Sequence, residues 1–105
     1  MTRALIARKG LVYFIEAVGA DRVKIGFTSG DPARRAQKLQ TACPFPLRVL
    51  ASYPGSTVDE AALHERFAAA RAVPATEWFH LTSEIRSHIA IAGRGVGERV
   101  GRDAA

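Results

Sequence analysis

Two apolar runs near the start of the chain differ in period. Leu11 to Ala17, LVYFIEA, is an almost unbroken series of β-branched and aromatic residues, whereas Arg22 to Phe27, RVKIGF, alternates with Val23, Ile25 and Phe27 on one side. Both patterns predict strands, and the intervening VGAD predicts an antiparallel hairpin. A four-residue turn sets Ala17 opposite Arg22, Ile15 opposite Lys24 and Tyr13 opposite Gly26. Tyr13, Lys24 and Gly26 then share a face, and the missing side chain at Gly26 leaves room beside the tyrosine ring. A slip of one residue would move Lys24 to the other face.

The period changes after Gly30. Asp31 reads as an N-cap and Pro32 as a first helical residue, opening a helix that runs to about Thr41, where the prolines of CPFP force extended backbone. Leu47 to Pro54 predicts a third strand. The longest helix is expected over STVDEAALHERFAAARA, with Thr57 and Glu60 at the spacing of a capping box. Glu77 to Leu81, EWFHL, reads as a short extended piece, and a last helix begins near Thr82. Glycines recur too often after Ala92 for regular structure. The expected organisation is a basic leading segment over 1–10, one domain over 11–92 and a flexible Gly/Arg-rich tail over 93–105. Its fold class is α+β, in the order β-β-α-β-α-α around a three-stranded antiparallel sheet.

Composition narrows the classes. With 105 residues, 48% hydrophobic and 24% charged, the chain suits one compact domain with a single core. No apolar run reaches the ~20 residues of a membrane span, and MTRALIARKG is too short an apolar stretch for a signal peptide, so the expected location is cytoplasmic. A lone cysteine, Cys43, fits a reducing compartment and reads as a small buried residue. Cys43, His64, His80 and His88 lack the short spacing of a structural zinc site, and there is no phosphate-binding glycine loop for a nucleotide cofactor. The net charge of +5 is uneven: residues 1–48 carry nine Lys/Arg against three Asp/Glu, residues 49–105 six against seven. A basic half favours a polyanionic partner such as nucleic acid.

Arg34 and Arg35 sharpen that reading. They stand in the first turn of the helix that Asp31 opens, where the macrodipole disfavours cations unless an anion offsets them. This helix start is expected to be a phosphate site, with backbone N–H groups and guanidinium directed at the same oxygens. On the long helix, steps of ~100° place Glu60, His64 and Arg71 close together on the rim of the stripe made by Leu63, Phe67 and Ala70.

Several short motifs in order carry a resemblance: LVYFIEA, KIGFT, DPARRAQKLQT, EAALHERF and EWFHLT. Together they resemble the GIY-YIG nuclease superfamily, and within it the branch of small phage and bacterial DNA-binding domains that read KIG where others read YIG. The likeness covers about residues 11 to 90. It implies a DNA-binding domain and a metal-dependent endonuclease that uses a single Mg²⁺ or Mn²⁺.

The resemblance also implies roles. Tyr13 matches the tyrosine that positions or deprotonates the attacking water, and Gly26 the glycine of the second motif. Arg35, or its neighbour Arg34, matches the arginine at the scissile phosphate. Glu60 matches the carboxylate that holds the metal, and His64 follows it by one helical turn. Lys24 stands where the second motif has tyrosine and Leu11 where the first has glycine, while Glu77 is nearest to the place of a later asparagine. The implied catalytic set is Tyr13, Lys24, Arg35, Glu60 and His64. The implied DNA contacts are Arg34, Arg35, Lys38 and Arg71. Taken singly, each residue also has a structural reading, as strand tyrosine, cap carboxylate or solvated charge. The alternatives are therefore a noncatalytic DNA-binding module of the same fold and a protein-interaction domain. Sequence-selective recognition by so short a chain calls for a homodimer, the tail or a partner protein.

Overall fold

The structure, a computed structural model, describes residues 9–92; the expected tail and all but the end of the leading segment lie outside the described residues. Strand β1 spans Lys9–Ala17, β2 Arg22–Thr28, helix α1 Pro32–Gln40, β3 Leu47–Ser56, α2 Thr57–Arg66, β4 Trp78–His80 and α3 Ser83–Ala92. The architecture is α+β, but the sheet has four antiparallel strands in the order β3-β1-β2-β4 rather than three. The extra strand is the WFH of the expected extended piece, whose three residues pair with Arg22, Val23 and Lys24. β1 also starts two residues before the expected boundary, because Lys9 and Gly10 pair with Ser56 and Gly55 at the far end of β3.

The near-continuous apolar run of β1 follows from its place in the sheet. It lies between β3 and β2, and Val12 to Ala17 are all buried. On one face Val12, Phe14, Val23 and Ile25 pack with Leu63 and Phe67 from α2 and its end, Phe79 from β4 and Ile85 from α3. On the other face Tyr13 and Ile15 pack with Ala36 of α1, flanked by Leu39, Leu47 and Val49. Change of face is managed at β3, where Phe14 pairs with Ala51 and Ile15 with Val49, leaving Leu50 as a bulge.

The hairpin has the expected register: Tyr13 pairs with Gly26, Ile15 with Lys24 and Ala17 with Arg22. Gly26 is required there, since a Cβ at that position would lie 2.4 Å from the Tyr13 ring and hydroxyl.

Two helical expectations are corrected. The capping box of α2 is made by Ser56 and Asp59, one residue before the Thr57 and Glu60 pair: Ser56 Oγ accepts from the Val58 and Asp59 N–H groups, and Asp59 Oδ2 accepts from the Ser56 N–H over 2.7 Å. α2 also stops at Arg66, followed by a 3-10 turn over Ala68–Ala70, so Arg71 is extended rather than helical. The extended backbone of Arg71 forms a bridge with Phe79, and this pairing prevails over the helix propensity of the alanine run.

Candidate active site

The shortness of β4 creates the site. β4 covers the edge of β2 only as far as Lys24, and past that point the partners of β2 come from elsewhere. The Ile25 N–H donates to the Glu77 carbonyl oxygen over 3.1 Å, and the Ile25 carbonyl accepts from His64 Nε2 over 2.8 Å. α2 thus closes the edge that β4 leaves open. His64 is further held against the Phe79 ring, with centroids 5.3 Å apart.

One turn before His64, a Glu60 carboxylate oxygen lies 3.7 Å from His64 Nε2. Because Asp59 makes the cap, Glu60 is free to face this edge. Glu77, the residue before β4, pairs with the Lys24 ammonium group. The Lys24 side chain is only 11% exposed, so its charge acts on Glu77 with little screening by water.

These contacts separate two neighbouring carboxyls. Burial, the Glu77 charge and a hydrogen bond shared with Glu77 push Glu60 up to about 7, against the opposing pull of Lys24. Burial also acts against the charged form of Glu77, but the Lys24 hydrogen bond and charge outweigh it, with help from Glu60 and His64. They hold its carboxyl below the ordinary range. At neutral pH Glu77 is ionised and Glu60 is poised to exchange a proton, the division seen when two carboxyls serve different roles.

Tyr13 reaches the same region from β1. It is fully buried, and its hydroxyl has no hydrogen-bond partner of ordinary geometry. Burial raises its pKa; Arg35 pulls it down by hydrogen bonding and charge, while Glu77 and Glu60 push it up. The charges that act on the phenol are thus Arg35 of α1 and the carboxylate pair.

The expected helix-end phosphate site is corrected in one respect. Asp31 Oδ1 accepts from the Ala33 N–H over 3.0 Å, and the Asp31 carbonyl accepts from the Arg34 and Arg35 N–H groups, both over 3.1 Å. The first-turn amides are engaged inside the helix, so any phosphate there meets side-chain cations alone. Arg34, Arg35 and Lys38 supply these, lining a hollow of about 290 Å³ with Thr28, Gly30 and Asp31. Arg71 is not brought into this group. Its guanidinium lies over the Phe79 ring at 5.2 Å, and among the described residues it has no ion-pair partner.

Glu60, His64 and Glu77 each bring one ligand atom to within 4.8 Å of the others. Of these, His64 Nε2 already donates to Ile25, so the oxygen ligands are the two carboxylates, of which Glu77 is also paired with Lys24. Two carboxylates offer hard oxygen ligands to a divalent cation that keeps most of its waters, in competition with the Lys24 ammonium group that already holds Glu77. The residues therefore fit the Mg²⁺ or Mn²⁺ that the resemblance implies.

No family model, curated protein or solved structure matches this chain. Glu77 is the residue that sequence reasoning undervalued. Fifty-three positions separate it from Lys24, and the signal that marks it is its place just before a short strand that pairs with the lysine-bearing one.

Proposed function

We propose that this chain is a GIY-YIG-like DNA-binding domain that hydrolyses phosphodiester bonds with the help of one Mg²⁺ or Mn²⁺. The observation that carries this reading is the convergence, around the part of the β2 edge that Glu77 and His64 close, of Tyr13, Lys24, Arg35, Glu60 and Glu77 from five separate segments, with His64 bracing them.

Phosphodiester hydrolysis needs an oriented water, a cationic receptor for the non-bridging oxygens and stabilisation of the leaving oxygen. Arg35 receives the scissile phosphate, because its guanidinium has no carboxylate partner among the described residues and stands beside the buried phenol. Tyr13 stays protonated at neutral pH, so in this scheme its buried phenol backs Arg35 at the scissile phosphate and does not deprotonate the attacking water. Glu60 and Glu77 would hold the divalent cation, which when bound supplies Lewis-acid stabilisation of the developing charge. Lys24 fixes Glu77 and limits the negative charge of the pair. His64 ties Glu60's helix to β2 and is a positioning residue in this scheme. Conversion of supercoiled plasmid to the nicked form only when Mg²⁺ or Mn²⁺ is present tests the reading. DNA binding without any nicking would favour the noncatalytic module.

A further inference from the structure

The two arginines at the start of α1 face different ways. Arg35 flanks the buried Tyr13, whereas Arg34, ~100° round the helix, shares its exposed face with Lys38 one turn on. Both of those residues line the hollow already described, and Arg35 lines it too, so the hollow is continuous with the scissile-phosphate position.

Its chemistry is selective. Three cations meet there, and none has an ion-pair partner among the described residues. The single carboxylate in the lining, Asp31, is engaged by the Ala33 N–H. Arg34 and Arg35 stand at the positive end of the helix, and Arg34 and Lys38 are like charges one turn apart, arrangements that cost stability unless an anion offsets them, although Lys38 itself lies in the last turn. No apolar or aromatic side chain lines the hollow, so a nucleobase finds no aromatic platform there, only the guanidinium planes of the two arginines. Neighbouring amides are occupied as well: the Gly30 N–H donates to Thr28 Oγ1 over 3.0 Å, and those of Arg34 and Arg35 to the Asp31 carbonyl. What remains is a receptor made of side-chain cations, which suits phosphate oxygens.

We infer that the hollow is a second phosphate subsite, in which Arg34 and Lys38 together hold the phosphate next to the one at Arg35 on the same strand. This rests on the nucleic-acid reading of the site and adds that the strand is gripped over two successive phosphates, with only the inner one presented to Tyr13.

The test measures binding without cleavage. Fluorescence anisotropy of a labelled DNA duplex is followed against salt in EDTA for wild type, Arg35→Ala, the double variant Arg34→Ala/Lys38→Ala, the triple variant and Arg86→Ala. Each phosphate contact contributes ~0.9 to the logarithmic salt slope. Arg35→Ala and the double variant should each lower the slope by about one, and the triple by about two, while Arg86→Ala changes it least. The double variant should also melt no lower than wild type, since exposed like charges are removed. An unchanged slope in the double variant, with a lowered one in Arg35→Ala, overturns the second subsite and leaves the nuclease reading intact. A drop of about two in the double variant alone overturns the shared grip, giving each cation its own phosphate. Wild-type protein without salt-dependent binding overturns both readings together.

Discussion

His64 Nε2 donates to the carbonyl oxygen of Ile25 over 2.8 Å, at the point on β2 where β4 no longer provides a partner. This bond fixes the proton on Nε2, leaves Nδ1 as the acceptor nitrogen, and couples Glu60's helix to the strand that carries Lys24. Removing it orphans a carbonyl in the interior and releases the helix. His64→Ala should therefore lose roughly 1–3 kcal/mol in denaturant unfolding, together with nicking. His64→Gln, which retains an N–H donor, should recover part of the stability. Unchanged stability in His64→Ala would remove the positioning role.

The packing of Tyr13 against Gly26 gives a second expectation. A methyl group at Gly26 would stand 2.4 Å from the phenol ring, whereas at Gly30 the nearest atom would be 3.8 Å away. Gly26→Ala should cost on the order of 1–3 kcal/mol and displace the phenol, and Gly30→Ala should cost well under that. Equal melting temperatures for the two variants would contradict the packing described.

Glu60 makes stability depend on pH in a definite direction. Its folded pKa, about 7, lies above its ordinary value of 4.5. Its contribution is therefore fully present below ~4.5 and is lost as pH rises through ~7. In EDTA, Glu60→Gln should raise stability at pH 8 by on the order of 1 kcal/mol, roughly 4–8 °C in a domain of this size, and change little at pH 5. A variant that melts lower than wild type at pH 8 would show that Glu60 is not a strained carboxyl.

His88, packed against Phe14 and Phe67 on the α2 and α3 side of the sheet, works in the other direction. Arg66 Nη1 lies 3.2 Å from its Nδ1, which must accept because arginine only donates, and its Nε2 then donates to the Tyr53 hydroxyl over 3.0 Å. Burial and the Arg66 charge hold the His88 pKa below its usual 6.5. The unfolded chain binds the extra proton first, so this contribution is present above ~6.5 and lost as pH falls below it. Measured in the Glu60→Gln background, to separate the two opposing titrations, the melting temperature should fall from pH 7.5 to pH 5.5. Adding His88→Gln should flatten that fall. A histidine that titrates above 6.5 by NMR would reverse the sign.

Much of this fold was legible, for identifiable reasons. The hairpin register followed from a four-residue turn between two strongly patterned strands, and so did the sharing of one face by Tyr13, Lys24 and Gly26. β4 escaped because three residues carry too little periodicity to distinguish a strand from a loop. Ser56 with Asp59 and Thr57 with Glu60 offer the same capping spacing one residue apart. The choice between them depends on β3 pairing with β1 as far as Ser56, a long-range contact. The break after Arg66 runs against a helix-favouring alanine run and is decided by the bridge from Arg71 to Phe79. Tyr13, Arg35 and Glu60 were singled out because short motifs carried them in order, and the fold brings Arg35 and Glu60 within electrostatic reach of the Tyr13 phenol. The pairing of Lys24 with Glu77 was not, since only the folded sheet edge brings those residues together.

The most direct test of the central claim is nicking of supercoiled plasmid by purified wild type and Glu60→Ala, each with Mn²⁺, with Mg²⁺ and with EDTA. Because Asp59 and not Glu60 caps α2, Glu60→Ala should fold and melt at or above the wild-type temperature. Wild type should nick only with a divalent cation, and Glu60→Ala should lose at least a hundredfold in rate, the scale of ~2.7 kcal/mol of transition-state stabilisation. Metal-independent nicking by wild type, or nicking by folded Glu60→Ala at the wild-type rate, would contradict the account.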